Sequence, residues 1–231
     1  MAGKRLAIVQ SSYIPWKGYF DLINSVDEFV LFDDVQYTRR DWRNRNRIKT
    51  SGGLAWLSIP VNSKGRFDSP IRDICVDDAE WASRHWRMIQ TNYARAAHFR
   101  DYSALLEHLY RGCDEPRLSD INRRFLSTVC EILGIRTKLT WSWDYQIRAE
   151  KTERLVGICL QAEADVYVSG PSAASYLDPQ QFQDAGIDLV YFDYTGYPEY
   201  RQLFPPFEHR VSVLDLILNE GPDARRYMLS F

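Results

Sequence analysis

The residues best equipped for chemistry lie in the first fifty positions. Asp33 and Asp34 stand together at the end of an apolar run. Adjacent carboxylates point to opposite faces if the strand continues, and both reach one site if the chain turns. In the second arrangement Asp34 would act as a general base on an amine or hydroxyl, with Asp33 orienting it, or the two would help hold Mg²⁺. The bland alternative is capping or ion pairing with the arginines that follow. Those arginines lie in Arg39-Arg40-Asp41-Trp42-Arg43-Asn44-Arg45-Asn46-Arg47-Ile48-Lys49, where six of eleven residues are basic and Asp41 is the one acid. If this segment is extended, Arg43, Arg45, Arg47 and Lys49 share one face and Asn44 and Asn46 the other. A face built mainly of Arg suits bidentate recognition of phosphate or carboxylate; a solvated charge run is the plain alternative.

The partner of these groups is the turn Gln10-Ser11-Ser12-Tyr13-Ile14-Pro15-Trp16-Lys17-Gly18-Tyr19. An apolar run ends there and Pro15 opens a helix, where its missing N–H costs nothing. A strand that hands over to a helix start leaves backbone N–H groups unpaired at the positive end of the helix dipole. The layout resembles the phosphate-binding turn of HIGH-motif nucleotidyltransferases, where two histidines at a helix start hold the nucleotide phosphates. Here Trp16 or Lys17 stands at one histidine position and Tyr19 at the other. Lys17 can still meet an anion as a point charge.

Two later segments could complete a pocket. Tyr167-Val168-Ser169-Gly170 ends a strand in a Ser-Gly turn, which lets backbone approach a ligand. It lacks the Gly-x-Ser-x-Gly pattern of serine hydrolases. Tyr194 to Gln202 is a polar aromatic loop after the last strand. His85, His98, His108 and His209 are isolated, with no metal-binding spacing, and are expected to be satisfied or exposed. The catalytic candidates are therefore Asp34 and Asp33. The substrate-binding candidates are Gln10, Tyr13, Lys17, Arg43, Asn44, Arg45, Arg47, Lys49, Ser169, Gly170 and Gln202. No metal ligand set is assigned.

The elements that must position these groups alternate. Strands are expected at Leu6–Gln10, Phe29–Asp34, Leu54–Val61, Ile71–Val76, Arg136–Trp141, Asp165–Ser169 and Leu189–Tyr194. Arg47–Thr50 pairs with Leu54–Val61 across the Ser51-Gly52-Gly53 turn. Helices are expected from Pro15 to Val26, from Asp77 or Asp78 to Ala96, and at Tyr102–Cys113, Leu118–Leu133, Lys151–Glu163, Pro179–Ala185 and Val211–Asn219. Asn62–Pro70 is a loop with Lys64-Gly65-Arg66 at its tip. The expected fold is one α/β domain over residues 1–231. Its sheet is mostly parallel and Rossmann-like, or HIGH-nucleotidyltransferase-like, with a helical insertion near 77–134 whose flanking strands share one sheet.

Composition sets the limits. The 231 residues carry a net charge of −2, so any anion site is a local patch and nucleic acid is disfavoured as a partner. Aromatics reach 14% with seven Trp, enough to fill a core and line a pocket. Cys75, Cys113, Cys130 and Cys159 form no CxxC pair, which argues against zinc and for reduced, buried thiols. The apolar run after Met1-Ala2-Gly3-Lys4-Arg5 is too short for a signal peptide or a membrane helix, and a soluble cytoplasmic protein is expected.

Taken in order, Gln10 through Asp21, Asp33-Asp34-Val35-Gln36-Tyr37, Arg43 through Lys49 with Trp56-Leu57-Ser58-Ile59-Pro60-Val61, Tyr167-Val168-Ser169-Gly170 and Ser212-Val213-Leu214-Asp215-Leu216 resemble the WbqC-like protein family. The resemblance implies a bacterial cytoplasmic protein associated with surface-polysaccharide (O-antigen) or related biosynthesis. It suggests a transferase with an activated sugar, acyl or aminoacyl donor, and carries no established catalytic residues. The expected partner is an anionic small molecule: nucleotide-linked, phosphorylated or acyl-activated. A non-catalytic binding or assembly protein, or a modified nucleotidyltransferase, are the alternatives. The resemblance names no cofactor and no oligomeric state.

Overall fold

A computed structural model describes residues 3–63 and 68–231. The expected loop tip Lys64-Gly65-Arg66 lies outside the described residues. The first βαβ unit consists of β1 (Arg5–Val9), α1 (Lys17–Asn24) and β2 (Glu28–Leu31). A hairpin of β3 (Arg45–Thr50) and β4 (Gly53–Ser58) follows, then three helices, α2 (Trp81–Tyr93), α3 (Phe99–Arg111) and α4 (Leu118–Leu133). The sheet resumes with β5 (Lys138–Trp141), α5 (Lys151–Gln161), β6 (Val166–Ser169), α6 (Pro179–Asp184) and β7 (Asp188–Tyr191), and α7 (Val213–Glu220) comes near the C-terminus.

The main sheet has five parallel strands in the order β5-β2-β1-β6-β7. Counting its strands alone, that is 3-2-1-4-5, a Rossmann-type order. The strand order reverses between β1 and β6, and in such sheets ligands bind outside the carboxyl ends at this point. Helices cover both faces, as an all-parallel sheet requires. Period-two alternation sorts the side chains: Ala7, Phe29, Leu31 and Val168 join the larger core with α1–α4 and α7, while Leu6, Ile8, Val30 and Tyr167 join the smaller core with α5 and α6.

Three expectations change. The first helix starts at Lys17, two residues after Pro15, with Trp16 as its N-cap. The Trp16 indole lies across the first turn so closely that a Cβ on residue 18 would come within 2.3 Å of it, which requires Gly18. The segment from Ile71 to Val76 is a 3₁₀ turn at Ile71–Asp73 followed by isolated bridges, because Ile71 and Arg72 donate their N–H groups to the carbonyls of Val35 and Asp33. Finally, the hairpin stands apart from the main sheet, so the strands flanking the three helices are not in one sheet. Its register sets Arg47 opposite Trp56, and this polar, aromatic face could not be covered on both sides as a central parallel strand must be.

Candidate functional site

The loop from Gln10 to Trp16 leaves β1 at its carboxyl end and is tied down at nearly every residue. Asp33 is fully buried and accepts from the Ser11 N–H at 2.8 Å, the Ser11 hydroxyl at 2.6 Å and the Ser119 hydroxyl at 2.6 Å. Burial raises the Asp33 pKa, and these three donors and the nearby Arg43 oppose that rise. Arg43 Nη1 donates to the carbonyls of Gln10 (3.0 Å) and Ser11 (3.1 Å) and to the Ser12 hydroxyl (3.1 Å). Asn46 Nδ2 donates to the carbonyls of Tyr13 (3.2 Å) and Ile14 (2.8 Å). Those bonds hold Ile14 at φ 36°, a left-handed conformation that costs a β-branched residue energy. The N–H groups of Ser11 and Tyr13 are consumed by Asp33 and the Trp42 carbonyl. At these two positions, then, the loop offers no open amide to an anion.

Beside this loop lies a cavity of about 740 Å³. Val9, Ser12, Pro15, Trp16 and Tyr19 form one wall, and Trp42, Arg43 and Asn46 another. Tyr194, Gly196, Tyr197, His209 and Arg210 close it. The aromatic rings interlock: Trp16 lies 5.5 Å from Tyr194 and 5.4 Å from Tyr197, centroid to centroid. Aromatic walls with a few convergent cationic and polar groups are what a ring-bearing anion needs. His209 is half-buried, packs edge-on against Phe207 at 4.6 Å, and keeps a buried Nδ1 with no hydrogen-bond partner among the described residues. Burial, reinforced by the Lys17 cation, lowers its pKa against the opposing pull of Glu199 and Glu208, which favours the neutral imidazole.

The other sequence candidates are distributed around this cavity rather than gathered in it. Gln10 supplies its carbonyl to Arg43 and to the Tyr19 hydroxyl, at 3.0 Å each. Tyr13 is fully buried, its hydroxyl bonded to His85 Nδ1 and the Tyr110 hydroxyl at 2.9 Å each. Lys17 is buried too; its Nζ donates to the Pro198 carbonyl at 2.9 Å beneath the rings of Tyr197 and Tyr200. Burial lowers its pKa to about 8 despite the nearby Asp21. Gln202 bonds Asp215 and the Glu208 carbonyl at 2.9 Å. Ser169 is buried at the end of β6, and Gly170 begins the next turn.

The two acids diverge. Asp34 pairs with Arg154 on α5 and accepts from the Ser142 hydroxyl at 2.6 Å, on the opposite side from Asp33. The basic segment diverges as well. Arg43 precedes the strand and turns to the N-terminal loop. Asn44 Nδ2 donates to the Ile59 carbonyl at 2.8 Å. Arg45 and Arg47 stack on Trp56, and Lys49 is buried with its Nζ on the Pro206 carbonyl. Asn46, set by alternation on the face away from the arginines, is the strand residue that lines the cavity. Sequence reasoning also missed Ser12, Trp42, His209 and Arg210. The adjacent His209-Arg210 pair before the last helix was the available signal.

Residues 10–227 match the WbqC-like protein family. The chain belongs to that family. Its match spans the loop, the hairpin, every strand of the main sheet after β1, and all of α7. A WbqC-like chain of Mycobacterium tuberculosis (strain ATCC 25618 / H37Rv), the uncharacterized protein Rv1507c, is 52% identical over 225 residues, covering 97% of each chain. No solved structure matches. No helix among the described residues is long and apolar enough to cross a membrane, nor do these residues contain a group of three or more His, Cys, Asp or Glu side chains that could hold a metal ion.

Proposed function

We propose that this WbqC-like protein is a cytoplasmic transferase of bacterial surface-polysaccharide or related biosynthesis, and that its cavity takes an anionic donor built on a ring, such as a nucleotide-linked sugar. The observation that carries this is the cavity's make-up and place: aromatic walls, Arg43 and Arg210, at the carboxyl end of β1 in a Rossmann-ordered sheet. Rings stack on Trp16, Tyr194 and Tyr197, and the charged group meets the two arginines. In the transfer, the acceptor's hydroxyl or amine forms a bond to the activated carbon of the donor. The bond from that carbon to the leaving phosphate oxygen breaks, and the leaving group keeps the electron pair. His209 takes the acceptor's proton, which moves the role of base from Asp34, held by Arg154, to a neutral imidazole on the cavity wall.

The test is direct binding of nucleotides and nucleotide-sugars to the wild type, to Arg210→Ala and to Arg43→Gln. Saturable binding weakened about tenfold or more in Arg210→Ala is expected. Arg43→Gln should lose still more, because Arg43 also fixes the Gln10–Ser12 loop. No binding by the folded wild type, or equal binding by wild type and Arg210→Ala, would sink the donor site.

A further inference from the structure

The outer face of the hairpin is not explained by the cavity. Arg45 lies over the Trp56 ring at 4.2 Å. Arg47 lies 5.6 Å from the Trp56 ring and 5.7 Å from that of Trp42, and the two indoles are 5.6 Å apart. Trp42 and Trp56 are 39% and 43% exposed, high for the largest side chains in a protein with a full core. This ladder is continuous with the cavity: Trp42 lines both, and Arg47 Nη2 donates at 2.9 Å to the carbonyl of Arg210 on the cavity rim.

Its charge is uncompensated among the described residues. Asp41, the one acid in the segment, is engaged by the Thr38 hydroxyl (2.7 Å) and the Trp42 N–H (2.7 Å), and its nearest arginine is Arg43 at 3.6 Å. No salt bridge to Arg45 or Arg47 occurs among the described residues. Each donates one Nη2 hydrogen bond to a backbone carbonyl, of Arg40 and Arg210. The Nε of each is buried with no partner among the described residues. A cation held over an indole face is attracted by the ring without using its N–H donors, and each guanidinium here gives one Nη hydrogen bond to the described residues. The buried Nε atoms are closed to a ligand, and an anionic oxygen would meet the remaining Nη donors of the two arginines.

We infer that the Trp42–Trp56–Arg45–Arg47 ladder is a second ligand subsite, which takes a ring compound bearing a carboxylate or phosphate: the acceptor of the transfer. The ring's C–H face meets the exposed indoles, its acid meets Arg45 and Arg47, and its nucleophile points along Trp42 toward the cavity. The acceptor role rests on the donor-site proposal; the binding does not, because it is measured without donor.

The experiment is titration of the full chain with glucose 1-phosphate, glucuronate, inorganic phosphate, methyl glucoside and a single-stranded oligothymidylate, read by tryptophan fluorescence and by chemical-shift changes of the indole N–H groups. Saturable binding of glucose 1-phosphate or glucuronate is expected, and which of them binds tells whether phosphate or carboxylate is read. That binding should weaken about tenfold or more in Arg45→Gln/Arg47→Gln, while methyl glucoside and inorganic phosphate bind more weakly than either. Trp56→Leu, an exposed position whose replacement leaves the core intact, should weaken it similarly. Arg45→Gln alone, whose partners are the Trp56 ring and the Arg40 carbonyl and not a cavity residue, should weaken acidic-sugar binding with nucleotide-sugar binding unchanged, which separates loss of this subsite from loss of the donor cavity. Absence of binding by both acidic sugars, equal binding by wild type and the double variant, or tighter binding of the oligonucleotide would overturn the proposal.

Discussion

Asp33 and Asp34 are chain neighbours with opposite fates. One is buried under three donors and fastens the N-terminal loop; the other crosses to α5 and pairs with Arg154. The alternation of β2 continues past its last residue: Leu31 faces the larger core and Phe32 packs against the smaller one. Asp33 and Asp34 then follow the same two directions. His209 is the residue to which the proposed chemistry moves, and its environment gives a pH prediction. Because burial lowers its pKa from the ordinary 6.5, the midpoint of the acid limb of the rate profile should lie below pH 6.5, where the imidazole becomes protonated. His209→Gln should lose about 100-fold or more in turnover with nucleotide-sugar binding retained. Turnover near wild type in that variant would remove His209 as the base.

At the scale of elements, the cavity depends on two pieces outside the main sheet. The hairpin supplies Asn46 inward and the arginine–tryptophan ladder outward, with Gly53 at φ 109° allowing its tight turn. The loop after β7 supplies Tyr194 and Tyr197, and it is rooted on Asp215 of α7. That buried carboxylate accepts from the hydroxyls of Tyr93 (2.7 Å) and Tyr200 (2.8 Å) and from Gln202 Nε2 (2.9 Å). Asp215→Asn replaces one acceptor oxygen by a donor in a shell made of donors. The expected cost is about 2 kcal/mol of stability, with faster amide exchange across residues 194–210 and weaker nucleotide-sugar binding. Unchanged exchange in that segment would show that the loop is held by other contacts.

For the whole molecule, the sheet is also stitched at the edge opposite the cavity. Glu28, at the start of β2, bonds Lys4 at 2.9 Å, Thr140 at 2.9 Å, Lys138 at 3.2 Å and the Tyr145 hydroxyl, joining the chain before β1 to β5 and the segment after it. Burial raises its pKa, but the hydroxyls and ammonium groups outweigh that and bring it to about 2. Since the folded value lies below the ordinary 4.5, the unfolded chain takes up a proton first. Glu28 therefore contributes its full stability above pH 4.5 and loses it as the pH falls toward 2. Glu28→Gln should cost up to about 3 kcal/mol at neutral pH and flatten the acid limb of the stability curve over that range. Acid unfolding of wild type and variant at one midpoint would exclude that contribution.

Local signals determined much of the frame. The apolar runs, the Pro-opened turn after β1 and the alternation of elements suffice for a parallel α/β sheet and its first βαβ unit, because burial of period-two and period-3.6 patterns leaves few other arrangements. Residue type alone also marked the Gln10–Tyr19 turn and the basic strand as neighbours of one region. What the sequence could not decide is direction. Whether Asp34 or Asp33 points inward, whether Asn46 or Arg45 faces the loop, and whether His209 meets Arg43 across 166 positions of chain all depend on where strands end and what packs against them. Those choices are made by long-range contacts: Ser119 and Ser11 around Asp33, Arg154 at Asp34, Trp56 beneath Arg45. The tertiary structure thus split one predicted anion clamp into an inner wall and an outer ladder, because β3 begins only at Arg45: Arg43, outside its alternation, turns to the N-terminal loop, while Arg45 and Arg47 share the outer face.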